Sequence, residues 1–324
     1  MQDSNGLFRA YFFDSSGKGS TVGWPELRKW QADQGLLWVD LDRLAPQTRS
    51  WLENESGLDP IICEALLTEE TRPRSLTTGD NLLVILRGVN LNPGADPEDM
   101  VSVRLWTDGH RVITVRSQRM LAIEDISEQL AAGDGPTSIG EFVAALAGRL
   151  VERMRPVVDS IQDELDALEE DLLEGKNKEV RSKLSGLRRM SVILRRYLAP
   201  QRDVISRLSL DSPRWCADLH KAQLRESADR ITRYVEDLDA SRERAAVTQE
   251  ELIARTQDRM NQNMYVLSLV AAIFLPLGFV TGLLGINVGG IPGTESPLGF
   301  LVVCLIMGVI VAVELVLLFV RKWF

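Results

Sequence analysis

With 324 residues, 45% hydrophobic and 26% charged side chains, and a formal net charge of −9, the bulk composition matches an ordinary chain of about two domains. The charge is unevenly spread: nearly all of it lies at or before Arg259, while Met264 to Leu284 and Leu298 to Val320 are apolar runs with one charged residue, Glu314, between them. Each run meets the roughly 20 residues that a spanning helix needs, which excludes a purely soluble protein and predicts a two-span membrane protein.

The opening MQDSNGLFRAYFFDSSG has no basic stretch ahead of an apolar core, so neither secretion nor a cleaved signal is expected. To about Arg116 the chain reads as an α/β domain. Strands are predicted at Phe8 to Phe13, Leu36 to Leu41, Leu82 to Val89, Val101 to Trp106 and Arg111 to Val115, with helices at Trp24 to Gln34 and Pro60 to Leu67. The last two strands flank Asp108-Gly109, a strong hairpin signal.

From Ile139 the period becomes helical. Val158, Ile161, Leu165, Leu168 and Leu172 recur at threes and fours, and Asp and Glu fill the other faces. Gly175 is expected to stop that helix, a second follows from Lys178 to Leu210 with a kink or break at Pro200, and Pro213 marks the next start. No glycine or proline interrupts the chain between Pro213 and Pro276, which predicts a rod of roughly 90 Å if unbroken. Leu224, Ile231, Leu238, Ala245 and Leu252 form a seven-residue seam with Ala228 and Val235 beside it; Arg242, Gln249 and Thr256 then interrupt it, so loose packing is expected.

Arg255 and Arg259 precede the first span, Arg321 and Lys322 follow the second, and Gly285 to Pro297 carries no Lys or Arg. The positive-inside rule therefore places both termini in the cytoplasm. The cysteines Cys63, Cys216 and Cys304 form no CxxC; His220, four residues after Cys216, makes half a metal site at best, or a coincidence on a helix surface.

Two spans cannot enclose a polar path, so conduction requires several copies about an axis. In the first span Asn261, Met264, Ser268, Ala271, Leu275, Gly278, Gly282 and Gly285 alternate by three and four residues and share one face that is mostly small or polar. It is either a packing surface with the GxxxG step Gly278/Gly282 or the lining of a narrow, uncharged pore. After it, Gly285-Ile286-Asn287 ends the apolar run. One Asn287 per copy would make a ring of amide carbonyls suited to holding a cation through its hydration water.

At these residues the chain resembles the CorA-type divalent-cation transporters. The resemblance rests on the Gly-x-Asn signature Gly285-Ile286-Asn287, the preceding IFLPLGFVTGLLG with Pro276, the run Glu70-Thr71-Arg72-Pro73-Arg74, the VSVRLW and HRVITVR strands, and the end RKWF. Magnesium-type members read Gly-Met-Asn before an acidic, aromatic loop; GINVGGIPG is instead similar to the zinc-transporting ZntB branch. The resemblance implies an α+β fold, a cytosolic α/β domain followed by long stalk helices and two C-terminal transmembrane helices, assembled as a funnel-shaped homopentamer in the bacterial inner membrane. It also implies zinc transport coupled to protons, in the uptake direction. The family's pore positions fall on Asn287, Gly278, Leu275, Leu267, Met264 and Asn261; Leu267 adjoins Ser268, and one of the two faces the axis.

The expected organisation is an α/β domain over 1–138, a helical region over 139–212, a stalk helix over 213–263, a first transmembrane helix over 264–284, a periplasmic loop over 285–297, a second transmembrane helix over 298–320 and a cytosolic tail over 321–324. The partners expected are other copies of the chain, the lipid bilayer, zinc and protons, and not nucleic acid. No bound cofactor is expected beyond the transported ion. The spans offer only Cys304 as a soft ligand and neither histidine, so the ion is expected to cross hydrated or weakly held. The carboxylates Asp159, Asp163, Glu164, Asp166, Glu169, Glu170, Asp171 and Glu174 either bind metal at a seam between copies or are simply solvated. Glu314 either titrates in proton coupling or, about 9 Å from the end of its helix, reaches the headgroups or pairs with Arg259.

A magnesium or cobalt channel is the alternative within the same class, and a membrane-anchored signalling or scaffold protein is the alternative outside it. An enzyme is not expected: there is no P-loop, GxSxG, HExxH or dinucleotide fingerprint.

Overall fold

In the computed structural model, described over residues 6–69, 72–174, 179–286, 291 and 296–320, seven strands form one sheet. They are β1 (Leu7–Phe13), β2 (Gly19–Thr21), β3 (Leu36–Asp42), β4 (Arg74–Thr78), β5 (Asn81–Gly88), β6 (Val101–Thr107) and β7 (Arg111–Arg116), in the order β2-β1-β3-β7-β6-β5-β4. Two antiparallel ladders, β2-β1-β3 and β7-β6-β5-β4, meet at the parallel pair β3–β7. The Asp108-Gly109 hairpin forms as expected: Asp108 accepts from the amides of His110 and Arg111, both at 3.0 Å. Gly109 has φ +89°, and a Cβ there would lie 2.6 Å from the Trp215 ring, so both conformation and space require glycine.

Alternation along β3 assigns the two faces. Leu37, Val39 and Leu41 turn toward α1 (Trp24–Leu27), α2 (Pro46–Asn54) and α3 (Pro60–Leu67), where they join Trp51, Leu52 and Leu66. Trp38 turns to the other face and meets Tyr11, stacked at 5.6 Å, and Phe142 of α5 (Ile139–Glu152) at 5.1 Å. Asp40, on that second face, is fully buried. It accepts from Arg116 Nη2 at 2.8 Å and from Thr114 Oγ1 at 2.9 Å, and Arg9 bridges outward to Glu124 of α4 (Leu121–Ala132) at 2.7 Å.

The helical continuation comprises α6 (Arg155–Leu173), α7 (Val180–Leu210), α8 (Asp218–Leu284) and α9 (Gly299–Val320). All five expected core positions of α6 are buried. Gly175, expected to end it, lies outside the described residues. Pro200 does not break α7, which runs through it. Its neighbour Gln201 is fully buried and serves the sheet: beyond Arg74↔Ile85, β4 no longer pairs with β5, and the Gln201 amide accepts from Arg87 N at 2.6 Å and donates to Arg87 O at 3.0 Å. The side chain thereby replaces a missing ladder strand.

The helix expected over Trp24 to Gln34 is instead a four-residue helix and a separate 3-10 turn at Ala32–Gln34. Trp24 and Leu27 are buried in the core and Trp30 packs against it, whereas Ala32–Gln34 bury nothing, so no apolar face extends the α-helix through them.

The chain divides into two compact units, Met1–Gln249 and Glu250–Phe324, and α8 contributes to both. Within the first unit its seam is buried as expected, from Leu224 through Ala245. The row expected to fail at Arg242 and Gln249 shifts by one residue onto Ser241 and Thr248, which are buried because their hydroxyls donate to the carbonyls of Asp237 (2.8 Å) and Arg244 (2.9 Å).

Asp40→Asn removes the buried carboxylate bonded to the Arg116 guanidinium and leaves it only the more distant Glu124, at 3.8 Å. Denaturant titration of the full chain, followed by tryptophan fluorescence, is expected to show a loss of about 3 kcal/mol in the sheet-bearing unit.

Candidate functional site

The second unit begins with the lower part of α8. Asn261, Met264, Leu267, Ser268, Leu275, Gly278 and Gly282 all lie in this continuous helix and are exposed in the single chain, with Ala271 half-buried. Leu267 and Ser268 are equally open, so exposure does not choose between them. The large apolar side chains of both spans are also uncovered: Phe274, Phe279, Phe300 and Phe319 are each at least 65% exposed. Helices this long and apolar, with no buried residue in their most apolar windows, require cover from lipid or from other chains.

Two details concern the end of α8. Pro276 has no N–H, so the Ala272 carbonyl loses its ladder donor, whereas the one hydroxyl nearby, Thr281, donates back to Leu277 O at 3.0 Å and Gly278 O at 3.2 Å. Gly285 then closes the last turn onto Thr281 O at 2.9 Å, and a Cβ there would sit 2.9 Å from that same oxygen. A side chain would therefore open the turn that leads to Ile286, which is exposed. Asn287 lies outside the described residues, as do Arg321 and Lys322 and the Glu70-Thr71 and RKWF parts of the matched motifs. Among the described residues an added Cβ at Gly278 or Gly282 would meet nothing within 4 Å, so no packing against them accounts for glycine there.

In α9, Glu314 has its Oε2 buried and without a hydrogen-bond partner, and no ion pair joins it to Arg259 among the described residues. Cys304 is exposed on the same helix.

In the first unit, the acidic face of α6 is partly neutralised by α8: Arg244 Nη2 lies 2.6 Å from Asp166 and 2.7 Å from Glu169, and these bonds raise its pKa. Cys216 and His220 are not a helix-surface pair. Cys216 is buried just ahead of α8, and the His220 Nδ1 is buried against Gly140. Among the described residues no group of three or more His, Cys, Asp or Glu is placed to hold a metal ion.

The sequence reading missed two features. Arg104, in the apolar alternation of β6, is fully buried; it donates to Thr68 O at 2.6 Å and Glu69 O at 3.0 Å, and burial first, then Arg43 and Arg87, pushes its pKa down to about 10. A lone arginine among strand apolar residues was the available signal. The second is the length of the exposed face of α8. The alternation of three and four continues back from Asn261 through Gln257, Ala254, Glu250, Val247, Glu243, Ala240 and Glu236, all exposed. Extending the count past the apolar run would have found it.

The family model described as CorA-like Mg2+ transporter protein matches residues 33–322. The chain is 44% identical over 310 residues to the divalent cation transporter CmaX of Pseudomonas aeruginosa, covering 94% of this chain and 93% of the relative. It is 36% identical over 307 residues to the zinc transport protein ZntB of Pectobacterium carotovorum, covering 95% and 93%. The structure of full-length CmaX matches with a TM-score of 0.86 at 42% identity over 99% of this chain and 98% of that one.

Gly282→Leu has room in the single chain and is expected to leave its helicity and membrane insertion unchanged, as read by circular dichroism and membrane fractionation. If the glycines face a shared axis or another copy, the same substitution lowers ion flux in vesicles by about tenfold or more.

Proposed function

The chain belongs to the CorA-like Mg2+ transporter protein family, and on that premise we propose that it carries zinc ions across the bacterial inner membrane through a pore shared by five copies, in the uptake direction and coupled to protons. The family comprises membrane transporters of divalent cations, not enzymes. The observation that carries the proposal is the face of α8 from Asn261 to Gly282: small or polar at most positions, continuous, and unoccupied within the chain.

Five such helices around an axis line a narrow path with Asn261, Met264, Leu267 or Ser268, Leu275 and Gly278. The spans run over 264–284 and 298–320, the termini face the cytoplasm, and Gly285-Ile286-Asn287 forms the outer mouth. There the Asn287 amides accept hydrogen bonds from an ion's water shell without a charge that would trap it. A path with neither thiolate nor imidazole releases zinc readily, which transport requires. On the cytosolic side, the exposed Glu236, Glu243 and Glu250 add to the net charge of −9 per chain and concentrate cations near the path. Glu314, a carboxylate with an unpartnered oxygen in an apolar helix, is the candidate proton carrier.

The zinc assignment is supported by the relative named as a zinc transport protein; the more identical relative, named only as a divalent cation transporter, favours a broader cation range as the second reading. Full-length protein in vesicles with an internal zinc-responsive dye separates them. Zinc entry that follows an imposed proton gradient and resists magnesium competition supports the proposal. Flux of both zinc and magnesium supports the second reading, flux of magnesium alone replaces zinc as the cargo, and an absence of any flux leaves only a membrane anchor. Glu314→Gln is expected to retain zinc flux while abolishing its response to the gradient; an unchanged response removes Glu314 from the mechanism.

A further inference from the structure

The helices α6 and α7 pack against each other yet carry opposite charge: α6 has seven Asp or Glu and one Arg, whereas α7 has eight Arg or Lys and one Asp. They do not neutralise each other. Among the described residues no ion pair joins α6 to α7; ion pairs from these helices instead run to α8, Asp166 and Glu169 to Arg244, and Arg195 to Asp239. Left exposed and without an ion partner are Asp163, Glu164 and Glu170 on α6, and Arg181, Arg188 and Arg189 on α7. Exposed Val192 lies beside the arginines on α7.

We propose that the acidic face of α6 in one copy docks on the basic face of α7 in the next, so that the helix pair forms a head-to-tail seam between copies. The two faces are complementary in charge, and a contact between different faces of neighbouring copies is heterologous and repeats around a ring, the closure that a path shared by several copies needs. An anionic lipid surface fits less well, because the acidic face sits next to the basic one and is repelled by it. Solvated pairs of this kind add modest affinity each and mainly fix partner and register. The inference rests on the multi-copy assembly proposed above and names one of its seams.

The test uses the full chain in detergent, with assembly measured by light scattering during a salt and heat challenge. Arg188→Glu/Arg189→Glu and Asp163→Lys/Glu170→Lys are each expected to weaken assembly about tenfold, and the two reversals combined in one chain to restore it. A combined chain no better than either reversal overturns the seam. If the α7 reversal acts only when phosphatidylglycerol is present and the α6 reversal does nothing, lipid is the partner and the seam is again overturned. A monomeric parent chain overturns both the seam and the shared pore, whereas an oligomeric parent indifferent to all reversals overturns the seam alone. Charge-conserving Arg188→Lys/Arg189→Lys gives a second measurement should the reversals misfold. Carbodiimide coupling of its lysines to carboxylates is expected to yield a ladder of covalent multimers on a denaturing gel, lost on adding Asp163→Asn/Glu170→Gln; a monomer band alone overturns the seam.

Discussion

A single helix, α8, must satisfy one backbone in two solvents, and the rest of the molecule follows from how it does so. Apart from the Ala272 carbonyl that Pro276 leaves without its ladder donor, its backbone hydrogen bonds are internal along Asp218–Leu284, so the chain can leave water for hydrocarbon without stranding its polar groups. Its side chains are then sorted by solvent. In the first unit an apolar seam is buried and the opposite face is left to water; in the most apolar windows of the second unit no residue is buried. Lipid can cover phenylalanine and leucine, but it has no use for Asn261, Ser268 and two glycines that touch nothing. The membrane protein is therefore incomplete as one copy, and that incompleteness, rather than any ligand cluster, is the physical ground for reading it as a subunit of a pore.

The sheet solves a different problem with buried charge. Where β3 meets β7, no hairpin sets the register, because the strands are parallel and distant in sequence. Asp40 on β3 is bonded by both Thr114 and Arg116 on β7, so a slip of one residue would strand an ion pair in the core. Such a pair adds little net stability compared with apolar packing, but it excludes the alternatives. Gln201 acts similarly at the far edge, closing the exposed peptide of Arg87 with one amide.

Legibility in the sequence followed periodicity. The hairpin at Asp108-Gly109, the core positions of α6, the seam of α8 and both apolar runs were readable because each repeats a pattern that burial enforces. The edge strand β4 escaped because Arg-Ser-Leu-Thr-Thr is mostly exposed and has no alternation; the positive-φ Gly79 in its two-residue turn was the cue. α2 and α4 were not assigned either, though α2 opens on Pro46 in its first turn and α4 ends on Gly133 in the left-handed region. Tertiary contacts decided the rest: nothing in the order of residues announces that Gln201 completes a sheet or that Arg104 holds the carbonyls after α3. The small and polar face of α8 was legible by spacing alone, whereas the choice between Leu267 and Ser268, both exposed in the single chain, depends on neighbours that one chain does not contain.

The placement of two of the thiols has a consequence for a member of a family that moves divalent cations. Cys63 and Cys216 are buried, and burial raises both pKa values, so each stays protonated at neutral pH and offers no thiolate. A surface rich in carboxylates attracts divalent ions by charge, yet these two sulfurs are kept out of reach. A divalent ion held at that surface meets hard, quickly exchanging oxygen donors rather than these two sulfurs, so it is held loosely enough to leave again.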